Sequence, residues 1–274
     1  MLAKLAKHTD ILKRSVLHKN QISRLRKYDN KLLHSVLNAV ENAKRDEFSA
    51  ADQQVFGQLE QYRSQLLNDS SVITYEVFDL DSTNIVKNIC INATSPPKWC
   101  RLHYSLAKET GAAQYLEIGT NLGVSGSYIL SAIKDKKNCK FTTMEGLPAL
   151  CKIASGNFSK IAGADSFEVI QGLYDQTFPE LMSREIKFDV MFIDGYHKKK
   201  PTLEYYEKLK NHSSDQAVFV FDDINWDDEM KDAWQIIKND PKANFVIDLY
   251  KLGIVIIDKN EKVKGVKADL FYAY

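Results

Sequence analysis

Several residue types are scarce in this chain of 274 residues, which has only 6 prolines, 12 glycines and 4 cysteines. The cysteines (Cys90, Cys100, Cys139 and Cys151) show neither a Cys-x-x-Cys motif nor zinc-type spacing, so we expect a reduced protein of the cytoplasm. Residues 1–20 lack an uninterrupted apolar segment, which argues against a signal peptide. No run approaches the roughly 18 apolar residues that span a bilayer, so we expect a soluble protein with no membrane partner.

An excess of charge of one sign is also absent, since the net charge is +1. This balance singles out neither nucleic acid nor membrane, and we expect neither as a partner. The first 46 residues are more basic, with 11 Lys/Arg against 4 Asp/Glu. A solvated helix face and an arm that binds an acidic partner both explain this distribution.

Residues 1–70 contain no proline and a single glycine, Gly57. Their apolar residues recur at helical spacing, which predicts two or three amphipathic helices that break near residues 46–51 and end at 68–71. We therefore expect a helical extension over residues 1–70. Its apolar faces must be covered either by the rest of the chain or by a second subunit, in which case the helices form a homodimer.

The segment that follows has a weaker pattern. Residues 72–80 favour a short strand, and the sequence Ser95-Pro96-Pro97 breaks the chain before a helix predicted at 101–110.

After Gly111 the pattern changes to alternating strands and helices. The predicted strands are Gln114–Ile118, Lys140–Glu145, Phe167–Gln171, Phe188–Ile193, Ala217–Asp222, Asn244–Leu249 and Leu252–Ile257. Helices between the first five strands predict a parallel sheet with right-handed crossovers. Only Tyr250 and Lys251 separate the last two strands, which is too short for a crossover and predicts an antiparallel hairpin. The expected fold class is therefore α/β, with a Rossmann-like, mostly parallel sheet of seven strands.

The most informative stretch is Tyr115–Tyr128, YLEIGTNLGVSGSY. A strand ends at Glu117, and Gly119, Gly123 and Gly126 carry the backbone through a tight turn into a helix. A ligand can lie against the bare main chain of such a turn, and its carboxylate would meet the free N–H groups of the helix start. An acid at this turn repels a pyrophosphate but suits an amino group. A ligand with an amino acid end, a ribose and an adenine fits these demands, which indicates S-adenosylmethionine.

Glu145 ends the next predicted strand, 28 residues after Glu117. One βαβ unit spans about 30 residues, so Glu145 should stand at the tip of the neighbouring parallel strand. An acid there accepts hydrogen bonds from both ribose hydroxyls. This second acid strengthens the cofactor prediction, because a glycine-rich turn alone is often only structural.

From about Gly57 onwards, the chain resembles the class I S-adenosylmethionine-dependent methyltransferases. Within them it is similar to a bacterial branch of small O-methyltransferase-like proteins related to catechol O-methyltransferase. Besides the glycine-rich turn, the matching segments are SPPKWCRLHYSLAKET, FIDGYHKKKPTLEYYEKL, VFVFDDINWDDEMKDAW and VIDLYKLGIVII. The resemblance implies that residues 71–274 form the methyltransferase domain.

The carboxyl ends of parallel strands hold the ligands of open α/β sheets. With the resemblance, this rule gives twelve candidate cofactor-binding residues: Glu117, Gly119, Thr120, Asn121, Gly123, Ser125, Glu145, Gly146, Leu147, Gly172, Asp175 and Asp194. The resemblance also implies that Asp175 accepts a hydrogen bond from the adenine amino group, with Leu147 and Leu173 against the ring. An ordinary helix N-cap is the alternative role for Asp175.

Three carboxylates, those of Asp194, Asp222 and Asp223, follow the fourth and fifth strands and should converge. Close like charges cost about 4 kcal/mol per pair at an effective dielectric near 20, so a divalent ion, a protonated acid, or a sulfonium and a lysine must offset them. The resemblance implies a magnesium ion that holds the acceptor hydroxyl, although the usual third ligand is asparagine and this chain has Asp223. Oxygen ligands also suit Ca²⁺ or Mn²⁺. Alternatively, Asp222 and Asp223 cap a helix that begins near Trp226.

His197 lies three residues after Asp194, where the catechol-type enzymes carry a catalytic lysine. Its imidazole titrates near neutral pH and can take a proton from a hydroxyl, so His197 and Asp194 are the predicted catalytic residues. Residues 198–200, all lysine, are expected to be a solvated helix start rather than a substrate clamp. Tyr196 and Trp226 either line an acceptor pocket or serve as packing.

The predicted reaction is methyl transfer from S-adenosylmethionine to a hydroxyl oxygen of a small molecule. Methylation of a nitrogen is the close variant. A non-catalytic S-adenosylmethionine-binding protein is an alternative of another class, and a nicotinamide-dependent dehydrogenase is disfavoured by Glu117 and by the glycine spacing. A methyltransferase would transfer the methyl group to an acceptor, a non-catalytic protein would only bind S-adenosylmethionine, and a dehydrogenase would bind a dinucleotide.

Overall fold

The computed structural model describes residues 2–78 and 80–273. The helices are α1 (Leu2–Leu25), α2 (Lys31–Arg45), α3 (Ala50–Leu66), α4 (Val86–Ala93), α5 (Pro97–Glu109), α6 (Val124–Ile133), α7 (Pro148–Ile161), α8 (Tyr174–Met182), α9 (Lys199–Asn211) and α10 (Asp228–Lys238). The strands are β1 (Val72–Thr74), β2 (Thr83–Ile85), β3 (Gln114–Ile118), β4 (Lys140–Glu145), β5 (Phe167–Gln171), β6 (Phe188–Ile193), β7 (Ser213–Phe221), β8 (Phe245–Asp248), β9 (Gly253–Asp258) and β10 (Val266–Asp269). Two short 3₁₀ turns are Glu76–Phe78 and Ala164–Ser166.

By its internal contacts the chain divides into two compact units. Unit 1 consists of Met1–Val40 and Lys187–Tyr274, and unit 2 consists of Glu41–Ile186. The domain boundary expected at residue 70 stays a prediction.

Unit 2 contains three parallel strands in the order β3, β4 and β5. All three have the bounds that the sequence predicts, because each is an apolar run closed by a glycine-containing turn. In their register Glu117 is paired with Thr143, and Glu145 with Gln171. The residues that follow these strands therefore lie along the same edge.

A small antiparallel ribbon, β1 with β2, precedes these strands. The strand predicted over residues 72–80 is shorter than expected, since β1 ends at Thr74 and a 3₁₀ turn follows; the part of that prediction on Asp79 lies outside the described residues. Helix α4 was not predicted. Helix α5 begins at Pro97 rather than at residue 101, because proline suits the first turn of a helix.

Unit 1 contains five strands in the order β10, β8, β9, β7 and β6. Strand β6 is parallel to β7 and β10 is parallel to β8, whereas β9 is antiparallel to both of its neighbours. The predicted hairpin of the last two sequence-predicted strands is thus confirmed. Strand β10 is an eighth strand beyond the seven expected. The sequence pattern does not predict it, because its short segment VKAD lacks an apolar run. The predicted α/β fold with mostly parallel strands is confirmed.

The three N-terminal helices match the expected break near residue 46 and add a second one after Leu25. Helix α3 starts with a capping box in which Ser49 and Asp52 exchange hydrogen bonds. Its buried Phe56 and Leu59 belong to a hydrophobic cluster that also holds residues of α5, α6 and α7. The apolar face of α3 is therefore covered within unit 2, while a homodimer through these helices stays a prediction.

Two expectations about the chain's environment can be compared with the structure. None of the four cysteines, all of them among the described residues, forms a disulfide bond. Among the described residues, no helix has the length and apolar character needed to cross a membrane.

Replacement of Phe56 by alanine should destabilise unit 2 strongly. The ring is 1% exposed and its centroid lies 4.8 Å from that of Phe48 and 4.9 Å from that of Tyr104, so Phe56→Ala leaves a cavity and should cost about 3–5 kcal/mol in the free energy of unfolding. Chemical denaturation followed by circular dichroism measures the change. Ile91→Ala, at a site that is 57% exposed, is the matched control, and equal midpoints for the two variants would show that α3 is not part of this core.

Candidate functional site

The glycine-rich turn of unit 2 has the backbone conformation that its sequence predicts. Gly119 and Gly123 have positive φ angles of 112° and 72°, and Gly123 is the N-cap of α6. No side chain caps this helix start among the described residues. Its first N–H groups therefore keep the capacity to bind a carboxylate.

Gly123 and Gly126 also have a packing role that the sequence analysis did not assign. A Cβ at Gly123 would lie 2.8 Å from the Cβ of Ala154, and one at Gly126 would lie 2.8 Å from the ring of Phe158. Gly126 stands inside α6 rather than in the turn. The missing side chains thus let α6 approach α7 closely, and only the turn before α6 is bare main chain.

Glu117 is fully buried at the end of β3. Its carboxylate accepts hydrogen bonds from the hydroxyls of Ser125, at 2.6 Å, and Thr143, at 2.7 Å. Thr120 is also buried, with its hydroxyl 2.6 Å from that of Thr143. The candidate residues Glu117, Thr120 and Ser125 are therefore brought together. Their hydrogen bonds through Thr143 attach the turn to β4.

Glu145 stands at the end of β4, as predicted, and is 7% exposed. It accepts hydrogen bonds from the backbone N–H of Asn121, at 2.9 Å, and of Leu147, at 3.0 Å. Burial raises the pKa of the Glu145 carboxyl above its ordinary value, although these N–H groups act in the opposite direction. Each carboxylate oxygen carries two lone pairs, so Glu145 retains acceptor capacity for a ribose hydroxyl.

The remaining cofactor candidates of unit 2 differ in exposure. Leu147 was expected to contact the adenine. Its side chain is instead 2% exposed and belongs to the hydrophobic cluster that also holds Leu150 of α7. Gly146 is buried, whereas Gly172 is partly exposed. Asp175 is exposed in the first turn of α8, whose N-cap is Leu173. The alternative that Asp175 is itself an N-cap is therefore wrong.

In unit 1, Asp194 and His197 form a pair in the loop after β6. The His197 Nε2 lies 3.3 Å from Oδ1 of Asp194. Burial disfavours the charged imidazole, but the hydrogen bond and charge of Asp194, with further charge from Asp222 and Asp223, outweigh it and raise the pKa of His197 to about 8. The two residues predicted to be catalytic therefore lie in contact with each other.

Asp222 and Asp223 follow β7 and share a lysine. Lys251 Nζ lies 2.6 Å from Asp222 Oδ1 and 2.7 Å from Asp223 Oδ1. Burial and the nearby charge of Asp194 raise the pKa of Asp222 to about 7, while Lys251 acts against that shift. The two carboxylates raise the pKa of Lys251 despite its burial, which keeps its ammonium charged.

The metal site implied by the resemblance does not fit this arrangement. Asp222 and Asp223 each already direct an oxygen at the ammonium of Lys251. Within the described part of the chain, no group of three or more His, Cys, Asp or Glu side chains is arranged to hold a metal ion. The residues present therefore do not fit the expected metal site at Asp194, Asp222 and Asp223. Lys251 offsets Asp222 and Asp223, and Asp194 faces His197; a lysine is part of one response that the sequence left open, pairing of the acids with a sulfonium and a lysine.

The other expectations for this loop region have mixed outcomes. Helix α10 begins at Asp228 with Asp227 as its N-cap, so the alternative that Asp222 and Asp223 cap it is wrong. Lys198 is the N-cap of α9 and Lys199 its first residue, and their exposed ammonium groups pair with Glu229 and Asp232 of α10, as a solvated helix start predicts.

Tyr196 and Trp226 lie in the loops after β6 and β7 and are 67% and 72% exposed. They are thus not packing residues, and both remain available to a ligand.

Two residues of this region, Lys251 and Thr143, are not indicated by the sequence pattern. Lys251 stands in the predicted hairpin, and the three acids indicate the need for a cation without naming which one supplies it. Thr143 follows from the register, which places it opposite Glu117. Both depend on pairing between segments distant in the sequence.

Part of the chain matches a known protein family, and its fold is similar to that of several solved structures. Residues 116–224 match the family model described as a methyltransferase domain, whereas no curated protein matches the chain. An O-methyltransferase from Bacillus cereus, solved in complex with S-adenosylhomocysteine, is 18% identical, with 78% of this chain and 99% of that chain covered and a TM-score of 0.55. The O-methyltransferase TomG from Streptomyces achromogenes, solved with S-adenosylmethionine, is 17% identical, with 75% and 90% covered and a TM-score of 0.54.

A methyltransferase from Podospora anserina, solved with S-adenosylhomocysteine, is 18% identical over 61% of this chain and 80% of that chain, with a TM-score of 0.52. At these identities the structural likeness establishes the fold, and the family model names the domain. Residues 116–224 of this chain therefore match a methyltransferase domain, and its fold is similar to that of methyltransferases solved with S-adenosylmethionine or S-adenosylhomocysteine.

Proposed function

We propose that this protein methylates a hydroxyl oxygen of a small molecule and that His197 removes the hydroxyl proton. The observation that carries the proposal is the His197–Asp194 pair, with 3.3 Å between Nε2 and Oδ1. With Nε2 donating to Asp194, the basic nitrogen is Nδ1. The negative charge of Asp194 stabilises the imidazolium that forms when His197 takes the proton.

We assign cofactor binding to the strand-end residues of unit 2. Glu145 is the ribose acceptor in this proposal, and the first N–H groups of α6 hold the carboxylate of the amino acid end. Bound S-adenosylmethionine supplies an electrophilic methyl group on its sulfonium. The complexes of similar folds with S-adenosylmethionine or S-adenosylhomocysteine support this assignment.

Two features support a reaction that does not need a metal. The ammonium of Lys251 offsets the charges of Asp222 and Asp223, and His197 supplies the base. Tyr196 and Trp226 are the exposed aromatic residues of the same loops, and we assign them to the acceptor side. A screen of hydroxyl and amine acceptors with labelled S-adenosylmethionine tests the function, since transfer to amines alone would favour the nitrogen variant, and binding without transfer would favour a non-catalytic protein.

Glu145→Ala should weaken binding of S-adenosylhomocysteine by about 1–3 kcal/mol, because hydrogen bonds from ribose hydroxyls to a carboxylate are lost. Isothermal titration calorimetry measures the dissociation constant. Glu168→Ala removes a carboxylate of the adjacent strand β5 that pairs with Lys140 and Arg184, and it should bind as wild type. Unchanged affinity in Glu145→Ala would show that the ribose binds elsewhere.

The pH profile of kcat should rise through a pKa near 8 and level off above it. His197 accepts a proton only in its neutral form, which predominates above its pKa of about 8, a value set by burial and by the facing Asp194, Asp222 and Asp223. His197→Ala should lower kcat by about 10²-fold and remove this rise, and Asp194→Asn should lower kcat more than cofactor affinity. Steady-state kinetics from pH 6 to 9 provide the measurement, and a full rate with an unchanged profile in His197→Ala would exclude the base.

Chelation by EDTA should leave turnover unchanged, and added Mg²⁺ should not raise it, because Lys251 supplies the cation at Asp222 and Asp223. Paramagnetic resonance of added Mn²⁺ should likewise show no bound ion in the wild type. Lys251→Ala leaves two unpaired neighbouring carboxylates and should gain Mn²⁺ binding, whereas Lys198→Ala, at an exposed pair with Glu229, should not. Loss of activity on chelation with recovery on Mg²⁺ would restore the metal.

A further inference from the structure

The 3₁₀ turn Glu76–Phe78 exposes apolar side chains beside the strands of unit 2. It follows β1, whose Ile73 is buried in the hydrophobic cluster together with Val86, the first residue of α4. In contrast, Val77 and Phe78 are 38% and 42% exposed. The backbone N–H of Phe78 bonds to the carbonyl of Tyr75 at 2.9 Å, so the ring is held on a closed turn with much of its surface open.

The ring of Phe78 takes the place of a side chain at Gly146. Gly146 is the residue directly after Glu145, and a Cβ there would lie 2.9 Å from Phe78 Cζ and 3.1 Å from Cε1. Gly146 is buried. A side chain at position 146 would thus displace the ring of Phe78 from its observed place.

Gly146 also lies near Leu173. The Cδ2 of Leu173 lies 3.8 Å from the Cβ position of Gly146, and Asp175 is exposed two residues later, in the first turn of α8. Leu147, which was expected to contact an adenine, lies in the core instead. The apolar surface beside Glu145 is therefore formed by Phe78 and Leu173.

We propose that Phe78 stacks on the adenine of S-adenosylmethionine and is a cofactor-positioning residue supplied from outside the sheet. The inference rests on the proposed function, since it takes Glu145 as the ribose acceptor. An adenine joined to a ribose at Glu145 has to lie within a few ångströms of Gly146, where the ring of Phe78 and the side chain of Leu173 come together. Every purine offers a π face to an aromatic ring, and the exposed Asp175 offers an acceptor for the amino group.

Calorimetry with S-adenosylhomocysteine and with adenosine tests the stacking. Phe78→Ala should weaken both ligands by about 10- to 100-fold, as the loss of one base–aromatic contact does, and by the same factor, because the contact is to the base that they share. Val77→Ala, on the same turn, is the matched control and should bind as wild type. A loss for S-adenosylhomocysteine alone, with adenosine unchanged, would overturn the proposal.

Conservative variants separate stacking from a purely structural role. Phe78→Tyr should retain the affinity and Phe78→Leu should not, because leucine keeps the apolar bulk but has no π face. Phe78→Trp adds an indole whose fluorescence a stacked adenine quenches, so saturable quenching by adenosine is expected beyond that of the wild type. Equal affinity of the leucine and tyrosine variants, or no added quenching, would mean that the ring merely fills space.

A double-mutant cycle tests the contact with Gly146. Gly146→Ala places a methyl group 2.9 Å from the ring, so it should weaken binding in the wild type but have little further effect in Phe78→Ala. Additive losses would contradict the contact. Failure of the wild type to bind S-adenosylhomocysteine would defeat the proposed function itself, whereas wild-type binding with an unaffected Phe78→Ala would defeat only this inference.

Discussion

Buried carboxylates at the ends of strands must be paired, and the local structure of both units depends on how this is done. A buried charge without a partner is costly. Glu117 is paired with the hydroxyls of Ser125 and Thr143, Glu145 receives backbone N–H groups, and Asp222 receives the ammonium of Lys251. Each of these pairings fixes a different loop, because each includes a donor from another segment of the chain: Thr143 for Glu117, Asn121 for Glu145 and Lys251 for Asp222.

In unit 2 the pairing organises the proposed cofactor edge before any ligand arrives. Glu145 accepts a hydrogen bond from the N–H of Asn121, and Asn121 has a φ of 49°, in the left-handed region that asparagine tolerates. Glu117 ties the start of α6 to β4 through Ser125 and Thr143. Because both carboxylates are already fixed, little conformational freedom remains to be lost on binding, which is the basis of preorganisation.

The sequence predicts the elements better than it predicts their partners. Strand-type runs closed by turn residues predict the observed bounds of β3, β4, β5 and β6, since both signals lie within each segment itself. Strand β10 and the role of Lys251 depend on contacts with segments distant in the sequence, for which the local pattern carries no signal. Leu147 illustrates the same limit, because its position after Glu145 indicated ligand contact whereas the packing of α7 buries it.

The lysine at Asp222 and Asp223 changes what the rest of the acceptor side has to do. A divalent ion would hold an acceptor oxygen and lower the pKa of its hydroxyl, but an ammonium already bound to two carboxylates has little charge left to offer. In the proposed mechanism proton removal therefore falls to His197, and the acids around it raise its pKa to about 8. A stronger base suits that task, at the cost of a smaller neutral fraction at pH 7. The pairing of these carboxylates with Lys251 thus accounts for the absence of a fitting metal site among the described residues. Their negative charge, with that of Asp194, accounts for the basicity of the imidazole.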